Sequence, residues 1–321
     1  MWIQVVTILA GFTLLVWSAD RFVMGAAATA RNLGVSPLII GLTIVGFGTS
    51  APEILVSVMA SLQGNPGLAI GNAIGSNTAN IGLVGGLTAL CWPLLVNSQT
   101  LRREFPVMVA VSTLPLLLIP DQTLSRIDGF ILLAAFSAFF YWIIRLGLKT
   151  RGHDTIEAQY ASEIPADVGP KAAIAWMIIA LLVLIGGSKA LVWGGENIAR
   201  TLNISNTVLG ITIVAIGTSL PEMAVSLMAA RKGEHGMAFG NIIGSNGFNM
   251  LAVIGIAAAI QPTTLDAETI KLHFPVMLGF TVAFFFLAYN YSGKIQVNRP
   301  TGALLLMSFI AYHGYVAYET F

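Results

Sequence analysis

The chain has 321 residues, of which 56% are hydrophobic and only 10% charged, with a formal net charge of +1 and a mean hydropathy of +0.81. Soluble domains carry charge on roughly a quarter of their residues, so this composition cannot coat a soluble globule, and its long apolar runs exclude a disordered tail or a basic nucleic-acid binder. The single cysteine, Cys91, excludes an internal disulfide and a cysteine-based metal cluster.

A bilayer-crossing helix needs about 20 mostly apolar residues, and ten stretches qualify. In chain order they cover roughly 3–28, 37–62, 68–95, 105–119, 127–146, 172–193, 207–230, 237–260, 274–288 and 302–318. The first has no basic leader and no small-residue cleavage site, and reads as a retained span rather than a signal peptide. With ten spans, connections alternate sides. One side collects Arg31, Arg102, Arg103, Arg145, Lys149, Arg151, Lys171, Arg231, Lys232, Lys294 and Arg299, whereas the other collects Arg126, Arg200 and Lys271. The positive-inside rule puts the first set in the cytoplasm and both termini outside. Residues 147–170 then form a cytoplasmic linker, too short for a regulatory domain. Trp2, Trp92, Tyr141 and Trp176 lie near span ends, where aromatic rings anchor at the membrane interface.

The chain repeats itself. Residues 41–87 align without a gap to residues 210–256, with about half the positions identical and a constant offset of 169. The match extends upstream to Ala30-Arg31 against Ala199-Arg200, and downstream to Phe105-Pro106-Val107-Met108 against Phe274-Pro275-Val276-Met277. Each half holds five expected spans, and an odd number makes the second half enter the membrane from the opposite face. The expected fold is therefore an all-α membrane protein of ten transmembrane helices in two inverted five-helix repeats, 1–146 and 171–321. Transporters built this way hold their cargo near the midplane where the halves meet.

The second and seventh spans contain Gly48-Thr49-Ser50-Ala51-Pro52-Glu53 and Gly217-Thr218-Ser219-Leu220-Pro221-Glu222. Proline removes a helix hydrogen bond, which is expected to free backbone oxygens near Gly46 and Phe47, and near Ala215 and Ile216. Beside them stand hydroxyls and a mid-span glutamate in each copy. Carbonyl, hydroxyl and carboxylate are hard oxygen donors that suit Ca2+ and Na+, and neither segment offers histidine or cysteine for zinc or copper. An ionised carboxylate at that depth costs several kcal/mol unless compensated. Residues 36–101 and 201–230 contain no Lys or Arg, so a salt bridge would need a distant base such as Arg21 or Lys189. A bound cation is the better counter-charge.

The third and eighth spans supply Gly71-Asn72 through Asn80 and Gly240-Asn241 through Asn249, sharing Gly75, Ser76 and Asn77 with Gly244, Ser245 and Asn246. Glycines four apart allow close helix packing and need no ligand role. Ser76, Asn80, Ser245 and Asn249 are polar groups in an apolar setting; they fit either interhelical hydrogen bonds or ion ligands.

These twinned segments resemble the two alpha-repeats of the cation/Ca2+ exchanger superfamily, specifically the prokaryotic sodium/calcium exchangers, and the resemblance covers essentially the whole chain. It implies a cluster of four ion sites between the second, third, seventh and eighth helices. Glu53 and Glu222 would form the Ca2+ site with Thr49, Thr218 and nearby backbone oxygens such as those of Gly46 and Ala215. Ser50, Ser76, Ser219 and Ser245 would help form Na+ sites, with Asn80 and Asn249 in the middle. Some relatives carry Asp at the position of Asn249; Asn removes a charge there, which argues against the potassium-dependent branch.

The expected function is thus antiport of Ca2+ against Na+ in a bacterial inner membrane, with no cofactor, nucleic acid or obligate protein partner. Protons on the same carboxylates would serve equally well by charge arithmetic, so an H+/Ca2+ exchanger is the alternative. A channel would pass Ca2+ without a counter-ion gradient. An intramembrane hydrolase would need a water-activating dyad or metal-binding histidine, and a scaffold or receptor gives no reason for two mid-membrane glutamates. Spans one and six, small-residue-rich at Gly25-Ala26 and Gly194-Gly195, are the expected moving part.

Overall fold

A computed structural model describes residues 2–96, 99–149, 169–201, 215–288 and 295–320. Among the described residues, the secondary structure is helical apart from two short ribbons. Its first helix, α1 (Trp2–Leu33), buries Leu15, Ala19, Phe22, Ala26 and Ala30, a stripe at helical spacing. Trp2, Ile3, Val6, Leu9 and Phe12 face outward and exposed, an arrangement that suits surrounding hydrocarbon and no aqueous surface.

A second segment breaks in two. Helix α2 (Pro37–Thr49) starts with Pro37 at its first position behind an Ser36 cap, includes a wide π turn over Gly41–Val45, and meets α3 (Ala51–Leu62) at a bend of 42°. The break falls at Ser50, where Pro52 cannot continue the hydrogen-bond ladder. Helix α4 spans 66–91, with π turns over Asn80–Gly85. Then come α5 (Gln99–Leu117), α6 (Arg126–Lys149) and α7 (Pro170–Thr201). The second half gives α8 (Ala215–Thr218), α9 (Leu220–Arg231), α10 (His235–Ile260), α11 (Thr269–Ala288) and α12 (Arg299–Thr320). Helix α10 has its own π turn over Asn249–Val253. Residues 202–214, which hold the start of the expected seventh span, and 150–168 of the expected linker lie outside the described residues.

Among the described residues, α1, α6 (through Arg145), α7 (through Gly194), α10 and α11 are long and apolar enough to cross a bilayer, and the bent pair α2/α3 makes a sixth candidate. Their lengths and composition make this an integral membrane protein. Of the five single-helix candidates α10 is the most buried, 89% of its most apolar window being inside the protein, and it is also one of the two helices that carry the repeated asparagines.

Small residues let backbones touch. The sites of Gly11 and Gly187 face each other's carbonyls, and Gly25 faces Ala173 while Gly194 faces Gln4, so α1 and α7 run antiparallel along their length. They are equivalent segments by the 169-residue offset. Gly86 packs against Gly302, and the equivalent Gly255 packs against Gly129, so one interface is used twice. Gly41 and Gly240 bring α2 against α10, where a Cβ at either would lie 2.5 Å from the partner's carbonyl oxygen. Gly64 and its mate Gly233 both hold positive φ, 76° and 79°, the left-handed conformation that ends a helix most cheaply with glycine. The ribbons, β1 (Leu94–Val96) with β4 (Ile295–Val297) and β2 (Thr123–Leu124) with β3 (Thr263–Thr264), each join one half to the other.

Candidate ion-binding site

The two helix breaks place their polar residues together in the interior. Thr49, Ser50, Glu53, Ser76, Asn80, Ser245, Asn249 and Glu222 are fully buried, and Ser219 and Thr218 nearly so. Glu53 and Glu222 sit in the first turns of α3 and α9, where the positive end of the helix dipole favours a carboxylate. Glu222 Oε1 accepts from Ser50 Oγ at 3.2 Å and from Ser245 Oγ at 3.5 Å. Glu53 Oε1 accepts from Ser76 Oγ at 3.4 Å. Ser50 precedes Glu53 by three residues on the same helical segment, so the contact to Glu222 brings the two acids to one place.

Across the halves, Thr49 Oγ1 donates to Asn241 Oδ1 at 3.0 Å and Thr218 Oγ1 to Asn72 Oδ1 at 3.4 Å. These bonds are mates under the offset of 169. Asn77 and Asn246 donate to each other's backbone carbonyls at 3.1 and 3.4 Å. Since each is the mate of the other, this pair marks where the halves exchange. The π turns of α4 and α10 begin at Asn80 and Asn249, widening both helices just beyond that pair, as π turns commonly do at functional sites.

Several buried oxygens here accept no hydrogen bond: the second carboxylate oxygens of Glu53 and Glu222, and the amide oxygens of Asn77, Asn80 and Asn249. A buried carboxylate left so costs several kcal/mol. Among the described residues, no basic side chain pairs with either glutamate. Arg21 lies 4.0 Å from Asp20 and over the Trp176 ring, Lys232 pairs with Asp20 at 2.8 Å, and Lys189 is exposed. Buried carboxylate and amide oxygens that accept no hydrogen bond are of the type that suits a hard cation.

The Gly46 expectation needs correction. Its carbonyl accepts the Ser50 N–H at 3.1 Å and is not freed by proline; the bond that Pro52 deletes is that of Gly48, four residues back. The Gly46 oxygen still points at the cluster, 3.4 Å from the hydroxyls of Thr49 and Ser245, and its second lone pair can serve an ion. Ala215 opens α8 directly after the undescribed segment, and Thr218 ends that helix.

Asn72 and Asn241 received no site role from the sequence, although both were visible as repeated residues. The signal was their spacing: Asn72, Ser76 and Asn80 recur every four residues on one helix face, as do Asn241, Ser245 and Asn249.

A buried, oxygen-rich cluster made of twin broken helices is a setting for a cation inside a membrane protein. A family model described as "Sodium/calcium exchanger protein" matches residues 3–145 and again 172–318. The chain is 44% identical over 312 residues to the putative antiporter CaxA of Alkalimonas amylolytica, covering 97% of this chain and 98% of that protein. It is 39% identical to the inner membrane protein YrbG of Escherichia coli, covering 95% and 94% of the two chains. Solved structures of the sodium-calcium exchanger NCX_Mj superpose with a TM-score of 0.82 at 33% identity, covering 96% of this chain and 97% of that one. The protein belongs to the sodium/calcium exchanger family, as an antiporter of the cation/Ca2+ exchanger type.

Proposed function

We propose that the protein exchanges Ca2+ for Na+ by alternating access, through ten spans arranged as two inverted five-helix repeats. The observation that carries this reading is the pair of buried glutamates, each with one oxygen lacking a donor and neither paired with a described basic residue. The antiparallel packing of the equivalent helices α1 and α7 supports inversion. So do two relatives with named activity: NCX_Mj, and the sodium/calcium exchanger MaX1 of Methanosarcina acetivorans, 28% identical with 95% and 96% coverage of the two chains. YrbG supports an inner-membrane location.

Glu53 and Glu222 hold Ca2+ with Thr49, Thr218 and the carbonyls of Gly46 and Ala215. Ser50, Ser76, Ser219 and Ser245 serve Na+, and Asn80 and Asn249 line the middle. Two carboxylates give the empty site a charge of about −2, which one Ca2+ neutralises, so a loaded carrier crosses the low-dielectric barrier cheaply and an empty one does not. That difference enforces exchange over leak. Three Na+ leave a net charge of about +1 and couple transport to voltage at about 2.3 kcal/mol per 100 mV. Helices α1 and α7 slide against the core to open one face at a time.

The test is Ca2+ uptake into vesicles holding the purified protein, driven in turn by an outward Na+ gradient, a pH gradient and neither. Uptake should follow Na+ and vanish in Glu53→Gln and Glu222→Gln. Uptake driven by pH alone would replace Na+ with H+, uptake without any gradient would make the protein a channel, and activity surviving both substitutions would remove the site.

A further inference from the structure

We propose that Asn241 is a positioning residue of the ion site: it accepts the hydrogen bond of the Thr49 hydroxyl and so turns that oxygen's lone pairs toward the cation. The inference rests on the Ca2+-binding reading above and concerns how one ligand is prepared.

The argument is a chain of hydrogen-bond polarities. The Glu222 backbone carbonyl can only accept, and the Asn241 amide nitrogen donates to it at 3.2 Å. The same nitrogen donates to Ser226 Oγ at 2.9 Å. Both amide protons are thereby used, which fixes the direction of the Asn241 side chain. Its oxygen then faces Thr49, and an amide oxygen can only accept, so the Thr49 hydroxyl must be the donor, at 3.0 Å. The Glu222 carboxylate also lies beside that hydroxyl, and the Gly46 carbonyl and Ser245 Oγ stand at 3.4 Å; the bond to Asn241 is the shortest of its hydrogen bonds. A hydroxyl has one proton. While it points at Asn241, the lone pairs of Thr49 Oγ1 are available to a cation and the proton is held away from it. Because Asn241 also holds the Glu222 backbone, it registers a threonine of one half against the carboxylate of the other.

The device has a mate. Thr218 donates to Asn72 Oδ1 at 3.4 Å, while the Asn72 amide nitrogen has no partner. The second copy is the looser one.

The test is a double-mutant cycle on Ca2+ binding, read from Ca2+-dependent thermal stabilisation of the full-length protein in detergent, which needs no transport. Thr49→Val and Asn241→Leu should each weaken Ca2+ binding by about tenfold. The double variant should bind no more weakly than the worse single, because the two residues act through one oxygen. Thr49→Ser, which keeps the hydroxyl, should restore near wild-type affinity and its dependence on Asn241. Additive losses would overturn the proposal. Should Asn241→Leu fail to fold, the cycle of Thr218→Val with Asn72→Leu reads the mate, with a smaller coupling expected from the longer bond; additivity there overturns the proposal as well. Glu222→Gln in the same assay separates the two claims: if it leaves Ca2+ stabilisation intact the site reading itself fails, whereas its loss beside an additive cycle rejects only the role of Asn241.

Discussion

The two halves spell one site but hold it differently. Thr49 and Thr218 stand alike beside Glu222 and Glu53, but Glu222 also receives the hydroxyls of Ser50 and Ser245 and Glu53 that of Ser76, while Ser219 Oγ, the mate of Ser50 Oγ, has no partner. Asn241 makes three bonds from its side chain where Asn72 makes one to Thr218. At the rim the contrast is sharper. Ser188 of α7 donates to the Gly217 carbonyl at 2.9 Å, the oxygen that Pro221 leaves without its helix partner. The mate of Ser188 is Ala19, which has no hydroxyl. Asp20 pairs with Lys232, and their mates are Lys189 and Gln63, which cannot form an ion pair. Under the inverted arrangement proposed above, a difference between halves becomes a difference between the two sides of the membrane. A state facing the opposite side would then exchange the roles of the halves, and contacts whose mates are chemically impossible are expected in one facing state alone.

The largest effect should come where the halves are most alike. Glu53→Gln and Glu222→Gln should weaken Ca2+ binding to a similar extent despite their different hydrogen bonds, because on the proposed reading both acids face one ion. Removing one partner of a buried charge pair costs about 3–5 kcal/mol, or roughly two to three and a half orders of magnitude in affinity. Titration of the purified variants with Ca2+ measures it, and a loss confined to one acid would break the shared-site picture.

Next in size is Ser188→Ala. It leaves a buried carbonyl without a donor, a loss of about 1–3 kcal/mol borne by one facing state only. The populations should shift toward the opposite-facing state several-fold or more, seen as altered distances between spin labels on α7 and α10. Ala19→Ser offers the first half the hydroxyl it lacks, and should narrow the difference between the two states. An unchanged distance distribution in Ser188→Ala would mean that the bond persists in both states.

These contrasts show what could be read from the sequence and what could not. The repeat, the prolines and the glutamates were legible because a mid-span carboxylate is chemically conspicuous in apolar sequence. The packing glycines were legible as spacing. That Ser188 caps Gly217, or that Thr49 answers to Asn241, depends on which helices touch across 29 and 192 residues of chain, and periodicity reports only one helix at a time. The correction at Gly46 has the same origin. Proline deletes a bond at a fixed offset, but whether a carbonyl is truly released depends on the local winding, here a π turn just upstream. Short ribbons such as β1 with β4 are pairings between halves, and three-residue strands carry no periodic signal of their own.

A smaller effect should follow from Asp20→Asn. Both charged groups of the Asp20 and Lys232 pair are about one-third exposed, so solvent screening holds the interaction to about 0.5–1 kcal/mol, a two- to fivefold change in the ratio of facing states. Lys189→Gln, at the mate position, should leave that ratio unchanged. Exchanging the charges, Asp20→Lys with Lys232→Asp, should restore it, and failure of the exchange would show that the two groups act separately.

The last expected effect concerns local stability rather than the facing states and lies outside the membrane-spanning segments. Asp266 Oδ1 accepts the Thr269 N–H at 2.6 Å and caps the start of α11. That backbone hydrogen bond holds its carboxyl below the ordinary aspartate value of 3.8. A carboxyl lowered on folding adds stability above its unfolded value, and the stability is lost as pH falls through the folded one. The cap should therefore be intact at neutral pH and fade only below about pH 4. Asp266→Asn can still cap, so it should keep most of the stability while removing this acid dependence; Asp266→Ala should lose about 1 kcal/mol at neutral pH. Hydrogen exchange at 267–273 measures both. The first half places Asn97 at the equivalent position, so a chimera carrying Asn at both ends tests whether the charge matters to one side of the membrane only.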